Sequence, residues 1–218
     1  MKLKGVIFDL DGTLANTFPV IFPAYRKAYA QVLDRHYTDQ DIVATFGPTE
    51  DGTFKNEAGE RWQECMQVYM EEYKRLSRTE TILFPGLSAT LDMLKRRGIK
   101  LGVVTGKSYN SAVISLKDMG MWEVFDEVEG GSIHGVIKPD CMRKILKKWE
   151  LSPQEVAYVG DMVMDMRNAN EVGVVPLGAA WCRELAEVNL LAQECPVAIF
   201  DDVASFHVWM ENHINGLH

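Results

Sequence analysis

The chain contains no apolar run as long as a membrane span, and it is short of positive charge: 23 Lys and Arg residues stand against 31 Asp and Glu, for a formal net charge of −8. That balance argues against an electrostatic footprint for nucleic acid or an anionic membrane. An acidic protein still binds phosphate where a few cations and backbone N–H groups converge. Cysteine is sparse too. Cys65, Cys141, Cys182 and Cys195 are far apart and form no C-x-x-C pair, so reduced thiols in a cytoplasmic protein are expected. The five histidines (His36, His134, His207, His213, His218) show no metal-ligand spacing. Met1-Lys2-Leu3-Lys4-Gly5 leads into a strand-like run rather than a signal peptide. There is no internal repeat, low-complexity tract or long flexible linker, and no G-x-G-x-x-G run for a dinucleotide. Gly102 to Ser108 imitates a nucleotide-binding P-loop, but it is one residue short of G-x-x-x-x-G-K-[ST] and its first glycine falls inside an apparent strand.

What remains is an ordinary globular composition, 47% hydrophobic and 25% charged over 218 residues, with room for a core domain and a smaller insertion. Val6-Ile7-Phe8 reads as a buried strand running into the polar turn Asp9-Leu10-Asp11-Gly12-Thr13. From about Thr17 to Ser77 apolar and aromatic residues recur at helical spacing: Phe18, Ile21, Phe22, Tyr25 and Tyr29, then Trp62, Met66, Tyr69 and Tyr73. Between them, Asp39 starts a short helix that ends near Gly47-Pro48, and residues 47–52 read as a loop. After Pro85-Gly86 strands and helices alternate. Strands are expected at 99–104, around Val124-Phe125, at 156–159, 174–177 and 197–200. Helices are expected at 87–97, 108–119, 141–149, 164–172 and 183–191. This alternation implies an α/β core with a mostly parallel sheet, covered by helices on both faces and interrupted early by an all-helical insertion.

In open α/β sheets ligands bind at the carboxyl ends of strands. Four polar clusters are placed there by this reading: Asp9 with Asp11, Thr105-Gly106-Lys107, Lys138-Pro139, and Gly160-Asp161 with Asp165. An aspartate after a strand is commonly a helix cap, and a lone Lys-Pro pair is commonly a solvated loop. Four such clusters in this order are harder to explain by capping.

On these residues the chain resembles the haloacid dehalogenase superfamily, in its phosphatase branch with a helical (C1-type) cap, the group of phosphoglycolate phosphatase-like and β-phosphoglucomutase-like proteins. The motifs are Asp9-Leu10-Asp11-Gly12-Thr13-Leu14, Val103-Val104-Thr105-Gly106-Lys107, Lys138-Pro139 and Gly160-Asp161-Met162-Val163-Met164-Asp165. The resemblance implies a Rossmann-like three-layer α/β/α core from residues 1–16 and 82–218, with residues 17–81 as the cap. It makes Asp9 the nucleophile that forms an aspartyl-phosphate and Asp11 the general acid and base. Lys138 would balance charge, and Thr105 and Gly106 would bind phosphate oxygens. Mg²⁺ would be held by the carboxylates of Asp9 and Asp161 and the backbone carbonyl of Asp11, with Asp165 either a direct ligand or one layer behind them. Two features depart from the family pattern: Asn16 after the first motif bears on subfamily rather than chemistry, and the polar run Met166 to Asn170 bears on helix packing without touching Asp161 or Asp165.

The cap would hinge near Ala15 to Thr17 and Leu83 to Gly86, closing over the site. Phe46 to Asp51 is the candidate substrate-facing loop, with Lys55 and Arg26 as candidate cationic contacts. The substrate implied is a small phosphorylated metabolite of the sugar-phosphate, phosphoglycolate or nucleotide type. Alternatives are a phosphomutase of the same superfamily and a non-catalytic binding or regulatory module. A dehalogenase fits less well, because Asp11 suits an oxygen leaving group, and a phosphonatase would need a Schiff-base lysine for which Lys55 is a loose candidate. Oligomeric state stays open.

Overall fold

The computed structural model describes residues 2–182 and 188–214. Strand β1 (Gly5–Phe8) leads through the first polar turn to β2 (Ala15–Asn16). Four helices follow: α1 (Phe18–Leu33), α2 (Asp39–Val43), α3 (Glu50–Ala58) and α4 (Trp62–Glu80). The chain returns through β3 (Ile82–Leu83), which pairs antiparallel with β2, so the two connections into the helical insertion run side by side. Then come α5 (Leu87–Arg96), β4 (Lys100–Val104), α6 (Tyr109–Asp118), β5 (Glu127–Glu129), α7 (Lys138–Trp149), β6 (Val156–Gly160) and α8 (Val163–Val172). Strand β7 (Val175–Ala179), α9 (Val188–Gln193), β8 (Ala198–Phe200) and α10 (Val203–Ile214) complete it.

The main sheet is six-stranded and parallel, in the order β5-β4-β1-β6-β7-β8. Side chains alternate across it with the strand period of two. Val6 and Phe8 face the helices α5, α6 and α10, with Leu91, Leu116 and Phe206. Ile7 faces α7 and α8, with Met142, Ile145 and Ala169. Both faces are covered, as the apolar strands require.

The insertion has its own core. Helices α1 and α4 pack together around the rings of Tyr25, Tyr29, Phe54, Tyr69 and Tyr73. Tyr25 and Tyr69 lie 4.8 Å apart and Tyr25 and Phe54 5.2 Å, contacts worth about 0.5–1.5 kcal/mol per pair beyond area burial. Thr38 and Asp41 form a reciprocal cap that starts α2. The far end of α4 is tied to α6: the Tyr73 hydroxyl lies 2.6 Å from Ser115 Oγ, and Arg78 pairs with Asp118 at 3.1 Å.

Several local expectations are corrected. Residues 50–52 are the first turn of α3, not loop, because Thr49 is extended and Glu50 and Asp51 sit favourably at a helix N-terminus. The strand expected at Val124-Phe125 lies later, at β5, and residues 122–124 form a 3₁₀ turn. Lys138 and Pro139 belong to the first turn of α7 rather than to a strand end, since proline at that point sacrifices no helical hydrogen bond. Beyond Phe200, where no element is expected, α10 buries Phe206 and Met210 completely. Of the helix expected over 183–191, residues 188–191 are helical within α9, while residues 183–187 lie outside the described residues, as does His218.

Candidate active site

The order of the parallel sheet decides which motifs meet. Strands β4, β1 and β6 are adjacent, with Phe8 in register with Val103 on one side and Val159 on the other. The ladder continues one step further, where the Asp9 N–H donates to the Val159 carbonyl at 2.8 Å. Asp9, Thr105 and Asp161 therefore emerge together where the winding direction of the sheet reverses, the usual place for a ligand crevice.

Asp9 is only 5% exposed. Its Oδ2 lies 3.1 Å from Lys138 Nζ, and its Oδ1 has no partner. The same ammonium lies 2.6 Å from Asp165 Oδ1, which also has the Tyr158 hydroxyl at 3.2 Å. Asp165 Oδ2 accepts the Met162 N–H at 3.1 Å, so this residue caps α8 while it holds Lys138. Thr13 Oγ1 donates to Asp161 Oδ1 at 3.2 Å, and Asp161 Oδ2 is unpartnered. Carboxylate oxygens of Asp9, Asp161 and Asp165 lie within 4.8 Å of one another. Gly12 is what allows this spacing: it has φ +76°, and a Cβ there would stand 2.3 Å from Asp161 Oδ2.

One lysine cannot compensate three buried carboxylates. Burial pushes the Asp9 carboxyl up to about 7, with Lys138 working against the shift and Asp165 and Asp11 adding to it. Burial, then Asp9 and Asp165, hold Asp161 well above the carboxylate range. Two buried, unpartnered oxygens in an all-oxygen donor set, still wanting positive charge, fit a hard divalent cation.

Asp11 faces away from this cluster. Its Oδ1 accepts from Thr17 Oγ1 at 2.5 Å and lies 3.3 Å from Lys107 Nζ. Lys107 is buried, with its ammonium 4.9 Å from the centre of the Tyr73 ring. Burial is the largest influence and works against its charge, but Asp11, Tyr73 and Glu50 together outweigh it, and the ammonium is held firmly protonated. Thr105 and Gly106 border the same cavity of about 300 Å³, and Thr105 Oγ1 accepts the Lys107 N–H at 3.3 Å.

A family model for haloacid dehalogenase-like hydrolases matches residues 6–179. The chain belongs to that family. A protein provisionally named pyrophosphatase PpaX in Clostridium perfringens is 31% identical over 182 residues, 82% of this chain and 85% of that one. Pyrophosphatase PpaX of Listeria welshimeri is 29% identical over 184 residues, 83% of this chain and 84% of its own. Among solved structures, a haloacid dehalogenase-like hydrolase of Streptococcus pneumoniae shares the fold with a TM-score of 0.79 at 24% identity, covering 95% of this chain and 98% of that one. CbbY of Rhodobacter sphaeroides in complex with phosphate gives 0.78 at 20% identity, over 94% and 96% of the two chains. Family membership and the relatives make this protein an enzyme of the phosphatase class.

In this haloacid dehalogenase-like hydrolase, Asp9, Asp11, Thr105, Gly106, Lys138, Asp161 and Asp165 all line one cavity. The other side of that cavity belongs to the helical insertion, through Phe18, Ile21, Tyr25, Phe46, Pro48 and Tyr69. The two cationic contacts expected there are corrected. Arg26 pairs with Asp39 on the surface and Lys55 lies over the Trp62 ring at 4.4 Å, so neither reaches the cavity. Lys55 is thereby no Schiff-base candidate either. Of the residues around the site, the sequence marks Thr17 only within the hinge, Glu50 only within the candidate substrate-facing loop and Lys107 only as the end of the second motif. Tyr158 carries no local signal, because its hydroxyl partners, the Val104 carbonyl and Asp165, lie on other elements.

Proposed function

We propose that the protein is a Mg²⁺-dependent phosphatase of small phosphomonoesters in which Asp9 takes up the phosphoryl group. The observation that carries the reading is Asp9 itself, a buried carboxylate with one oxygen free and the other 3.1 Å from Lys138 Nζ, at the mouth of the sheet. Asp9 and Asp161, each with an unpartnered oxygen, would bind the cation directly. Asp165, with both oxygens engaged by Lys138, Tyr158 and Met162, would orient Lys138 beside it. The carbonyl of Asp11 is a further candidate ligand. A divalent cation there supplies the charge that keeps Asp9 ionised and lets it approach an anionic phosphate.

An oxygen of the Asp9 carboxylate other than the one given to the cation attacks phosphorus, and the bond from phosphorus to the ester oxygen breaks. Asp11, once protonated and turned from Thr17 and Lys107 toward the leaving group, gives its proton to the departing alkoxide, so an alcohol leaves and an aspartyl-phosphate remains. Asp11, now ionised, takes a proton from water as that water attacks the acyl phosphate; inorganic phosphate leaves and both aspartates return to their starting state. The Lys138 ammonium, the Thr105 hydroxyl and the Gly106 N–H would bind the phosphate oxygens on which charge develops. Residues 17–81 would act as a cap hinged where Ala15–Asn16 and Ile82–Leu83 pair, shutting bulk water from the acyl phosphate. A cytoplasmic location without a nucleic-acid partner fits the acidic charge balance.

The test is phosphate release from a panel of metabolites, pyrophosphate included because the PpaX relatives are named for it, with Mg²⁺ or with chelator, beside Asp9→Asn. Mg²⁺-dependent release that disappears in the variant is expected. Equal release by wild type and variant would remove Asp9 from its role.

A further inference from the structure

The cap side of the cavity carries a carboxylate where an anion-binding cap would carry a cation. Glu50, at the start of α3, is 3% exposed and lines the cavity. Its Oε2 accepts the Ser108 N–H at 2.8 Å, and its Oε1 has no partner. The Tyr69 hydroxyl, from α4, is also buried and unpartnered and borders the same space. After burial, the Glu50 charge adds to the rise of the Tyr25 and Tyr69 phenols, and it also favours the protonated Lys107.

Its position is fixed from two sides. The Thr49 N–H donates to the Ser132 carbonyl at 2.9 Å, and a Cβ on Gly52 would meet the Ile133 carbonyl at 2.5 Å, so α3 is pressed onto the core. A buried acceptor held this rigidly and left unpaired is costly unless a ligand supplies the donor.

Among the described residues the cavity lining holds five carboxylates and two ammonium groups. Both lysines are committed, Lys107 to Asp11 at 3.3 Å and Lys138 to Asp9 and Asp165 at 3.1 and 2.6 Å. A substrate with a second anionic group would set that group against Glu50 with no cation left for it.

We propose that Glu50 Oε1, with the Tyr69 hydroxyl bordering the same cavity, receives an N–H or O–H donor on the alcohol part of the substrate, so that the enzyme selects monoesters of amino alcohols or polyols over those carrying a second anionic group. The proposal rests on the phosphatase reading above and adds the chemistry of the leaving group to it.

The test compares kcat/KM for phosphoethanolamine, glycerol phosphate, phosphoglycolate, pyrophosphate and p-nitrophenyl phosphate, in wild type, Glu50→Gln and Tyr69→Phe. Wild type is expected to favour phosphoethanolamine or glycerol phosphate over phosphoglycolate and pyrophosphate; the first over the second indicates an ammonium, the reverse a hydroxyl, and either order supports the assignment. Glu50→Gln should lower the ratio of the preferred ester to p-nitrophenyl phosphate by roughly 10- to 100-fold, the size expected for a lost polar contact to substrate, and Tyr69→Phe by less. If Glu50 only ties the cap to Ser108, the variant lowers all esters alike and the ratio holds, which overturns the proposal. Wild-type preference for phosphoglycolate or pyrophosphate also overturns it, with no variant needed, while leaving the phosphatase reading standing. Failure to release phosphate from any ester overturns both.

Discussion

At the core end of the cavity the functional groups stand on strand ends and a helix start, and each is held by charge: Asp9 by Lys138, Asp165 by Lys138 and the Met162 N–H, Asp11 by Lys107 and Thr17. At the cap end the lining is aromatic and aliphatic, with a single carboxylate, and it is held by the packing of α1, α3 and α4. The difference teaches a division of labour. A transferable group such as phosphate is handled by fixed charges on a rigid sheet, where an error of a fraction of an ångström is costly. The insertion's side of the cavity is instead a surface that depends on how α1, α3 and α4 pack.

The strongest way to break this contrast is to disable one end chemically and the other mechanically. Asp9→Asn should lower phosphate release by roughly 10⁴-fold or more, because no neighbouring group replaces a lost nucleophile. The fold should survive, since Asp9 Oδ1 already lacks a partner. Steady-state kinetics beside circular dichroism checks both points. At the cap end, Phe54→Ala removes a fully buried ring packed on Tyr25, Tyr29 and Tyr69, and should cost about 3–5 kcal/mol in denaturant unfolding. If the insertion melts separately, an early transition appears that wild type lacks. A single transition shifted as a whole would mean that the Tyr73–Ser115 and Arg78–Asp118 ties make cap and core one cooperative unit.

Two smaller effects sharpen the comparison. Asp161→Asn should raise the Mg²⁺ concentration for half-maximal activity by about 10- to 100-fold, because it weakens one of the two oxygen sites left open at the core end. An unchanged requirement would place the cation elsewhere. In the insertion, Glu72 is held down at about 2, from an ordinary 4.5, by hydrogen bonds from Arg75 at 2.5 Å and Lys27 at 2.7 Å. A carboxyl lowered on folding adds stability above its unfolded value, and that stability is lost as pH falls from about 4.5 through about 2. Both cationic partners reach solvent, so the contribution is screened to about 1 kcal/mol. Urea midpoints for wild type and Glu72→Gln should therefore converge as pH falls from 5 toward 2.5; parallel curves would assign the acid sensitivity to other groups.

The parts of the site that could be read in advance share one property. Asp9, Asp11, Thr105, Asp161 and Asp165 follow short apolar runs whose strand character is local. Lys138 stands out in the sequence only by its order between the second and fourth motifs, its place at the start of α7 being a finding of the structure. Helix α3 is not legible as a separate element and strand β5 lies a few residues beyond its expected place, because Gly52 and the acidic run at Glu127 give weak periodicity; their limits are set by contacts with the 132–133 loop and with β4. Arg26 and Lys55 were misjudged for a plainer reason. A cation in a helical segment can face any direction around the axis, and these two found Asp39 and Trp62 outside the cavity.

By itself, the sequence determined the alternation of strands and helices, the helical character of the insertion and the identity of the acids that end the central strands, because apolar periodicity and turn chemistry act over a few residues. Tertiary structure alone decided that Lys138 sits between Asp9 and Asp165, that Lys107 is buried against Asp11, and that Glu50 lines the insertion's side of the cavity. Each of those depends on elements far apart in the chain arriving at one place, and on charges whose balance is set only once water has been excluded between them.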